Sequence, residues 1–334
     1  MSLLTSPRRG RAADADDEPV VVAARHPWRW VGTVAVLVLV AQFVHGLATN
    51  AGWDWGTFGG YFFERSVMRA LLVTLQLTVA GAVLGFLGGV VLAAMRLSRN
   101  PVLLAVSWTY IWVFRSVPLI VQLLFWANLG YLYDRLQVGV PFGPGFFSVE
   151  TSGLVSSMGA ALLGLALHEA AYAAEIVRAG IISVDQGQLE AAAALGIPRG
   201  RQFRRILLPQ AMRAILPSAA NELVNLLKST SVVYVLAIGE LFYQVQVVYG
   251  RNGRVVPLLM VATVWYVILT ALLSVLQFYV ERHFARGALR TLPPTPLQRL
   301  RAALGRSRLA LGRDRAALGR GGRPGAALDR DAIR

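Results

Sequence analysis

Arg115, Glu169, Glu222 and Lys228 are charged side chains that lie inside long apolar stretches. An ionisable group at mid-bilayer costs at least about 2.5 kcal/mol even on a lenient insertion scale, so each is a candidate functional position. Arg115 falls 13 residues into its stretch and Lys228 14 into its own, which is ~20 Å along a helix and near the middle third of a bilayer. Asn221, Glu222, Asn225, Lys228 and Ser229 recur at three- and four-residue steps and form one polar stripe. Such a stripe must face protein or water. It reads either as the wall of a path for a polar solute or as a network that neutralises neighbouring helices. Glu175 and Arg178, one turn apart, read as a structural pair. His168 and Glu169 open an H-E-x-x pattern, but position 172 is Tyr, and His26, His45 and His283 are on other segments, so a zinc helix is not formed. The chain has no cysteine, which excludes disulfides and thiolate metal sites.

The elements that must position these groups are membrane helices. The chain is 55% hydrophobic and only 15% charged, too apolar for a soluble fold. Six stretches reach the ~20 residues a spanning helix needs: 28–48, 67–95, 102–132, 154–177, 214–241 and 255–280. The net charge of +15 is sorted by side. If six helices alternate, 26 of the 33 Lys and Arg residues fall on one side and five, Arg65, Arg69, Arg135, Arg251 and Arg254, on the other. That asymmetry puts both termini and the 178–213 loop in the cytoplasm. No recognition fold accompanies the basic charge, so nucleic acid is not a partner. The first stretch reads as an uncleaved helix rather than a signal core: it is long for one, and no good small-residue cleavage site follows.

Between the fourth and fifth stretches, residues 169–210 carry an insert that hydrocarbon could not hold. Asp185 and Gln188 have the form of a capping box, Gly196 sits where a left-handed closing residue is wanted, and Pro198 can open a second helix that Pro209 interrupts. The expected product is a helix, turn, helix elbow sized for a groove on another protein. Within it, Glu190, Ala191, Ala192, Gly196, Ile206, Leu208 and Pro209 fall at the EAA, G and I-x-LP positions of the EAA loop, and the segment closely resembles that loop of ATP-binding cassette (ABC) importer permeases. FRSVPLIVQLL from Phe114, AAYAAEIVRAGIISV from Ala170 and NLLKSTSVVYVLAIGEL from Asn225 resemble segments of the polar amino acid branch of that family. Ser116, Glu169, Asp185 and Ser229 depart from its usual pattern.

The resemblance implies an all-α polytopic membrane protein with the type I ABC importer transmembrane fold, a five-helix core plus one N-terminal helix. It implies two ATPase subunits docked on the elbow, a second permease copy or paralogue, an extracytoplasmic substrate-binding protein, and residence in the bacterial inner membrane. ATP and Mg would be bound by the ATPase subunits and no cofactor by this chain, which has no G-x-x-x-x-G-K-[ST] phosphate loop. An amino acid needs a donor for its carboxylate and an acceptor for its ammonium. Arg115, with its planar fork, suits the first, and Glu169 or Glu222 the second; Asn221, Asn225 and Lys228 would line the same path.

The chain divides into a flexible tail at 1–27, the added helix at 28–48, a permease core at 61–283 with coupling loop 178–213, and an Arg-rich tail at 284–334. In the last, RAALGRS, RLALGRD and RAALGRG repeat at seven residues; it reads as disordered or as a surface helix on anionic membrane lipid. Gly81, Gly85 and Gly89 strip one stripe of the second stretch and fit close helix packing or a hinge. A self-contained secondary transporter is the rival class, but the halves share no internal similarity and the elbow would go unexplained.

Overall fold

The computed structural model describes residues 27–140, 143, 145–150 and 156–284. The expectations for both tails lie outside the described residues. The chain forms two compact units, Met1–Asp54 and Trp55–Arg334.

In the first unit, helix α1 (Pro27–Thr49) matches the expected added helix and is apolar on every side. Asn50 ends it and caps a single 3-10 turn, its side chain accepting from the Gly52 amide at 2.8 Å.

The second unit opens with α2 (Trp55–Phe62), a short helix not anticipated from sequence. Its aromatic residues pack on α11 (Val255–Phe284), where Phe62 stacks on Trp265 at 4.9 Å and the Trp265 indole N–H donates to the Phe62 carbonyl at 2.9 Å. Helix α3 (Arg65–Arg96) starts at Glu64, whose carboxylate accepts from the Ser66 amide at 2.7 Å and from the Ser66 hydroxyl.

The expected continuous stretch at 102–132 is broken. Helices α4 (Pro101–Ser116) and α5 (Leu119–Ala127) meet at 104°. Pro118 has no N–H to donate and pushes Val117 out of the helical region, to ψ 128°. Two carbonyls freed at the break, those of Phe114 and Val117, accept from the buried Gln122 amide at 2.9 and 2.8 Å. Beyond α5 an antiparallel hairpin, β1 (Arg135–Gly139) and β2 (Gly145–Glu150), runs with Arg135 opposite Glu150 and a register shift at Val138/Gly139. It is the one departure from an all-helical fold among the described residues.

Helix α6 (Ser157–Ile182) packs along the glycine stripe of α3. A Cβ at Gly85 would lie 2.5 Å from Glu169, and one at Gly89 2.5 Å from Ala173, so the stripe exists to let two helices approach. After α6 come α7 (Gln186–Ala194), α8 (Arg199–Gln202), a π turn (Phe203–Leu207) and α9 (Leu208–Ser229). A 3-10 segment (Thr230–Leu236) and α10 (Leu241–Asn252) then lead to α11. Among the described residues, four helices are long and apolar enough to cross a membrane, and up to six spans result if each bent pair, α4 with α5 and 199–236 with α10, counts as one. Leu77, Leu123, Leu165, Leu226 and Val233, all buried, knit α3, α5, α6, α9 and the 3-10 segment into one core.

Candidate functional site

The elbow is built as a closed helical turn. The Asp185 side chain accepts from the Gly187 amide at 2.7 Å, as a cap should. Gln188 does not reach back to complete the box; its oxygen accepts from the Gln210 amide at 2.6 Å, tying the start of α7 to α9. Gly196, at φ +68°, closes α7 as expected: the Ile197 amide reaches the Ala192 carbonyl at 3.1 Å and the Gly196 amide that of Ala193 at 3.0 Å, a Schellman closure. Pro198 precedes α8, whose Gln202 side chain donates back to the Ile197 carbonyl at 2.7 Å.

Pro209 does not interrupt the second arm, contrary to expectation. The π turn ahead of it, closed by the Leu208 amide on the Phe203 carbonyl, widens the helix, and Pro209 falls in the first turn of α9, where its missing N–H is not needed. The helical run therefore continues from Arg199 to Ser229. Glu190, Ala191, Gly196, Leu208 and Pro209 are exposed, Ile206 is half-buried and Ala192 is buried. Leu195, 79% exposed, and Phe203, also exposed, are apolar side chains left uncovered on this unit. The elbow is held to the bundle where α6 crosses α9: Gly180 faces Ile215 and the Ala211 carbonyl so closely that any Cβ would collide.

The polar groups divide into two sets. Glu169, 1% exposed, is wedged between α3 and α6 against Gly85, and its Oε1 has no hydrogen-bond partner. Glu222 is on α9, half-buried, and the Asn225 amide lies 3.5 Å from its carboxylate. Asn221 turns instead to α11, accepting from Gln277 at 3.0 Å. Lys228 is exposed in the last turn of α9.

Arg115 stands apart from that set. The break at Pro118 puts it in the last turn of α4 rather than in the middle of a straight span. Its guanidinium lies 5.1 Å over the Tyr172 ring, beside a cavity of about 380 Å³ that Arg96, Trp108, Trp112, Ser116 and Glu175 also line, with no residue from α9. Glu175 and Arg178 form the expected pair, with bonds of 2.7 and 3.1 Å. His168 contacts Gln122 at 3.2 Å and the Tyr172 ring, and no His, Cys, Asp and Glu cluster fit for a metal occurs among the described residues.

Glu240 was missed. It is fully buried and accepts from the Phe242 and Tyr243 amides at 2.9 and 2.6 Å and from the Tyr266 hydroxyl at 3.2 Å, fixing the start of α10, while Thr74 of α3 accepts from the Leu241 amide at 3.0 Å. An acidic residue directly ahead of the helical LFYQVQ run was the available signal.

A family profile, described as the binding-protein-dependent transport system inner membrane component, matches residues 81–287. The chain belongs to this family. The arginine transport system permease protein ArgU of Corynebacterium glutamicum is 40% identical over 303 residues, which is 88% of this chain and 92% of that protein. The glutamate/aspartate import permease protein GltK of Escherichia coli is 34% identical over 221 residues, 66% of this chain and 93% of that protein. Among solved structures, an amino acid ABC transporter with histidines matches at 32% identity and TM-score 0.56, over 65% of this chain and 94% of that one. The MetNI methionine ABC transporter in inward-facing form matches at 23% identity and TM-score 0.52, a likeness of fold. The chain is thus a multi-pass permease subunit of an ABC importer with the type I transmembrane fold.

Proposed function

We propose that the permease forms the translocation path for a polar amino acid and is driven through its elbow by two separate ATPase subunits. The observation that carries this reading is the exposed, Schellman-closed elbow with Leu195 and Phe203 uncovered, feeding helices α6 and α9 that bear buried or membrane-level polar groups. Support for an amino acid comes from the relatives: ArgU is named for arginine and GltK for glutamate and aspartate. The functional core spans 61–283 and its coupling loop 178–213, with Glu190, Ala191, Ala192, Gly196, Ile206, Leu208 and Pro209 shaping the docking surface. The path uses Glu169, Asn221, Glu222, Asn225 and Lys228. Arg115 serves it from the α4 end, as a carboxylate donor near the Tyr172 ring.

A second permease copy or a paralogue completes the channel, an extracytoplasmic binding protein delivers the solute, and ATP and Mg sit in the ATPase chains. Both termini face the cytoplasm of a bacterial inner membrane. The test is uptake: proteoliposomes holding the permease with its ATPase subunits and binding protein should accumulate a radiolabelled polar amino acid only with internal ATP. Failure for every amino acid offered would refute the reading. Orientation is checked in the same chain, which has no cysteine: single cysteines at Ser6 and Ser307 should resist an impermeant thiol reagent on intact cells, and labelling at either would reverse the assignment.

A further inference from the structure

We infer that Arg201, Arg204 and Arg205, on the second arm of the elbow, hold the phosphate of an anionic phospholipid of the cytoplasmic leaflet and so moor the elbow to the bilayer surface. The inference goes beyond the amino acid reading and rests on it only in taking the elbow to face the cytoplasm.

Arg201 lies in α8, and Arg204 and Arg205 lie in the π turn that follows it. Steps of three and four residues put them on one face, where with Gly200 they line a single cavity of about 350 Å³. All three are exposed, and no carboxylate lines the cavity with them. The ion pairs among the described residues, Arg135 with Glu150 and Arg178 with Glu175, use none of them. Three guanidiniums that converge on one hollow repel one another, and an anion between them turns that repulsion into attraction. Gly200 keeps the hollow open, since nothing lies within 4 Å of where its Cβ would stand. Phosphate suits the site: each guanidinium presents a planar fork that can meet two of its oxygens.

Position selects a lipid as the source of that phosphate. The arm runs on as one helix from Arg199 to Ser229, and its apolar stretch starts at Ala214. Arg205 is nine residues ahead of Ala214, ~14 Å of helix at 1.5 Å per residue. The headgroup layer takes up roughly 5–7 Å of that, and the long arginine stem spans the rest. The cavity is also separate from the first arm: no residue of α7, which carries Glu190 and Ala191, lines it, and neither does the uncovered Leu195. Arginines beside a membrane helix on the cytoplasmic side meet the anionic lipids of that leaflet, and each strengthens the attachment about fivefold.

Phosphatidylglycerol and phosphatidylcholine of equal chain length differ in net charge, so they isolate the site. The detergent-purified permease with its ATPase subunits is titrated with each, and bound lipid is counted by native mass spectrometry. Phosphatidylglycerol should bind at least tenfold more tightly than phosphatidylcholine. Arg201→Gln, Arg204→Gln and Arg205→Gln should each weaken phosphatidylglycerol about fivefold, and the three together should abolish the preference while the ATPase subunits stay bound. Lysine at all three positions keeps the charge and should restore the preference. Equal affinity for the two lipids in the wild type would overturn the proposal. So would displacement of phosphatidylglycerol by inorganic phosphate at matched concentration, which would make this a site for a free anion. Unchanged lipid preference in the triple Gln variant together with loss of its ATPase subunits would also overturn it, by assigning the arginines to the ATPase. If the triple variant does not fold, the three single variants carry the same test. Lipid binding is read without transport, so a complex that takes up no amino acid removes the permease reading alone, whereas uptake that persists without any lipid preference removes the mooring alone.

Discussion

Replacing Gly89 by alanine should loosen the contact between α3 and α6 more than the same change two turns earlier at Gly81. A Cβ at Gly89 would stand 2.5 Å from the Ala173 Cβ, 2.9 Å from the Ala174 amide nitrogen and 3.0 Å from the Ala173 carbonyl carbon. Carbon atoms pack best at about 3.5–4.0 Å, so the helices must part by roughly 1 Å, and two of the three obstacles are backbone that cannot rotate away. Over-packing of this kind costs about 1–3 kcal/mol. Against it stands the ~0.5–1 kcal/mol gained when alanine replaces glycine within a helix. At Gly81 the nearest atoms are at 3.4 and 3.6 Å, both on side chains, so the helix gain dominates there.

The net expectation is a loss of roughly 1–2 kcal/mol for Gly89→Ala and no loss, or a gain of up to about 1 kcal/mol, for Gly81→Ala. Thermal unfolding of the detergent-solubilised permease reads the difference, at about 2–4 °C per kcal/mol for a domain of this size. Adding Ala173→Gly to Gly89→Ala should restore only part of the loss, because the backbone clash persists. A Gly89→Ala variant that melts at or above Gly81→Ala would refute the close-packing account and return the stripe to a hinge role.

Gly196→Asp places a side chain at φ +68°, where it costs of order 1 kcal/mol, and puts a charge on the docking face; uptake should fail while insertion and yield stay normal, and ATPase activity still stimulated by loaded binding protein would contradict the coupling role. At the start of α3, the Ser66 hydroxyl, with the Ser66 and Val67 amides, holds the Glu64 carboxyl below its ordinary value. Its cap is therefore fully present above the usual carboxylate range and lost as pH falls through the lowered value. Hydrogen exchange in the first turn of α3, corrected for intrinsic rate, should quicken in acid in the wild type and show no such step in Glu64→Gln. For Arg115, uptake should fall in the order wild type, Arg115→Lys, Arg115→Ala, since lysine keeps the charge but loses the planar face that lies over Tyr172; equal uptake in all three would remove it from the path.

Local signals survived folding where short-range chemistry decides. Gly196 closes its helix because an L side chain is disfavoured at positive φ, whatever packs nearby. The glycine stripe was legible because close helix approach needs it in any partner context. What failed depended on balances that sequence does not display. A largely apolar run from 102 to 132 gave no sign that Pro118 would turn the chain rather than merely kink it, since the outcome hangs on Gln122 capturing the freed carbonyls. Pro209 was read as a stop because a π turn, which absorbs the proline, has no sequence signature of its own. Gln188 left its expected capping role for Gln210, 22 residues away, a choice fixed only once α7 and α9 are side by side.

The elbow's two arms end in the two helices that bear the buried Glu169 and the half-buried Glu222. Glu169 lies 13 residues before the end of α6 at Ile182, and Glu222 lies 13 residues after Pro209 on the helical run that the π turn keeps continuous, so each sits ~20 Å from the elbow. Between elbow and acids the helices touch at Gly180 and Ile215, too tightly to slide without parting. A force that tilts one arm against the other must therefore act about that contact as a pivot. Its effect falls on the relative placement of α6 and α9 at the level of Glu169 and Glu222, which is where motion of the elbow reaches the membrane-level polar groups.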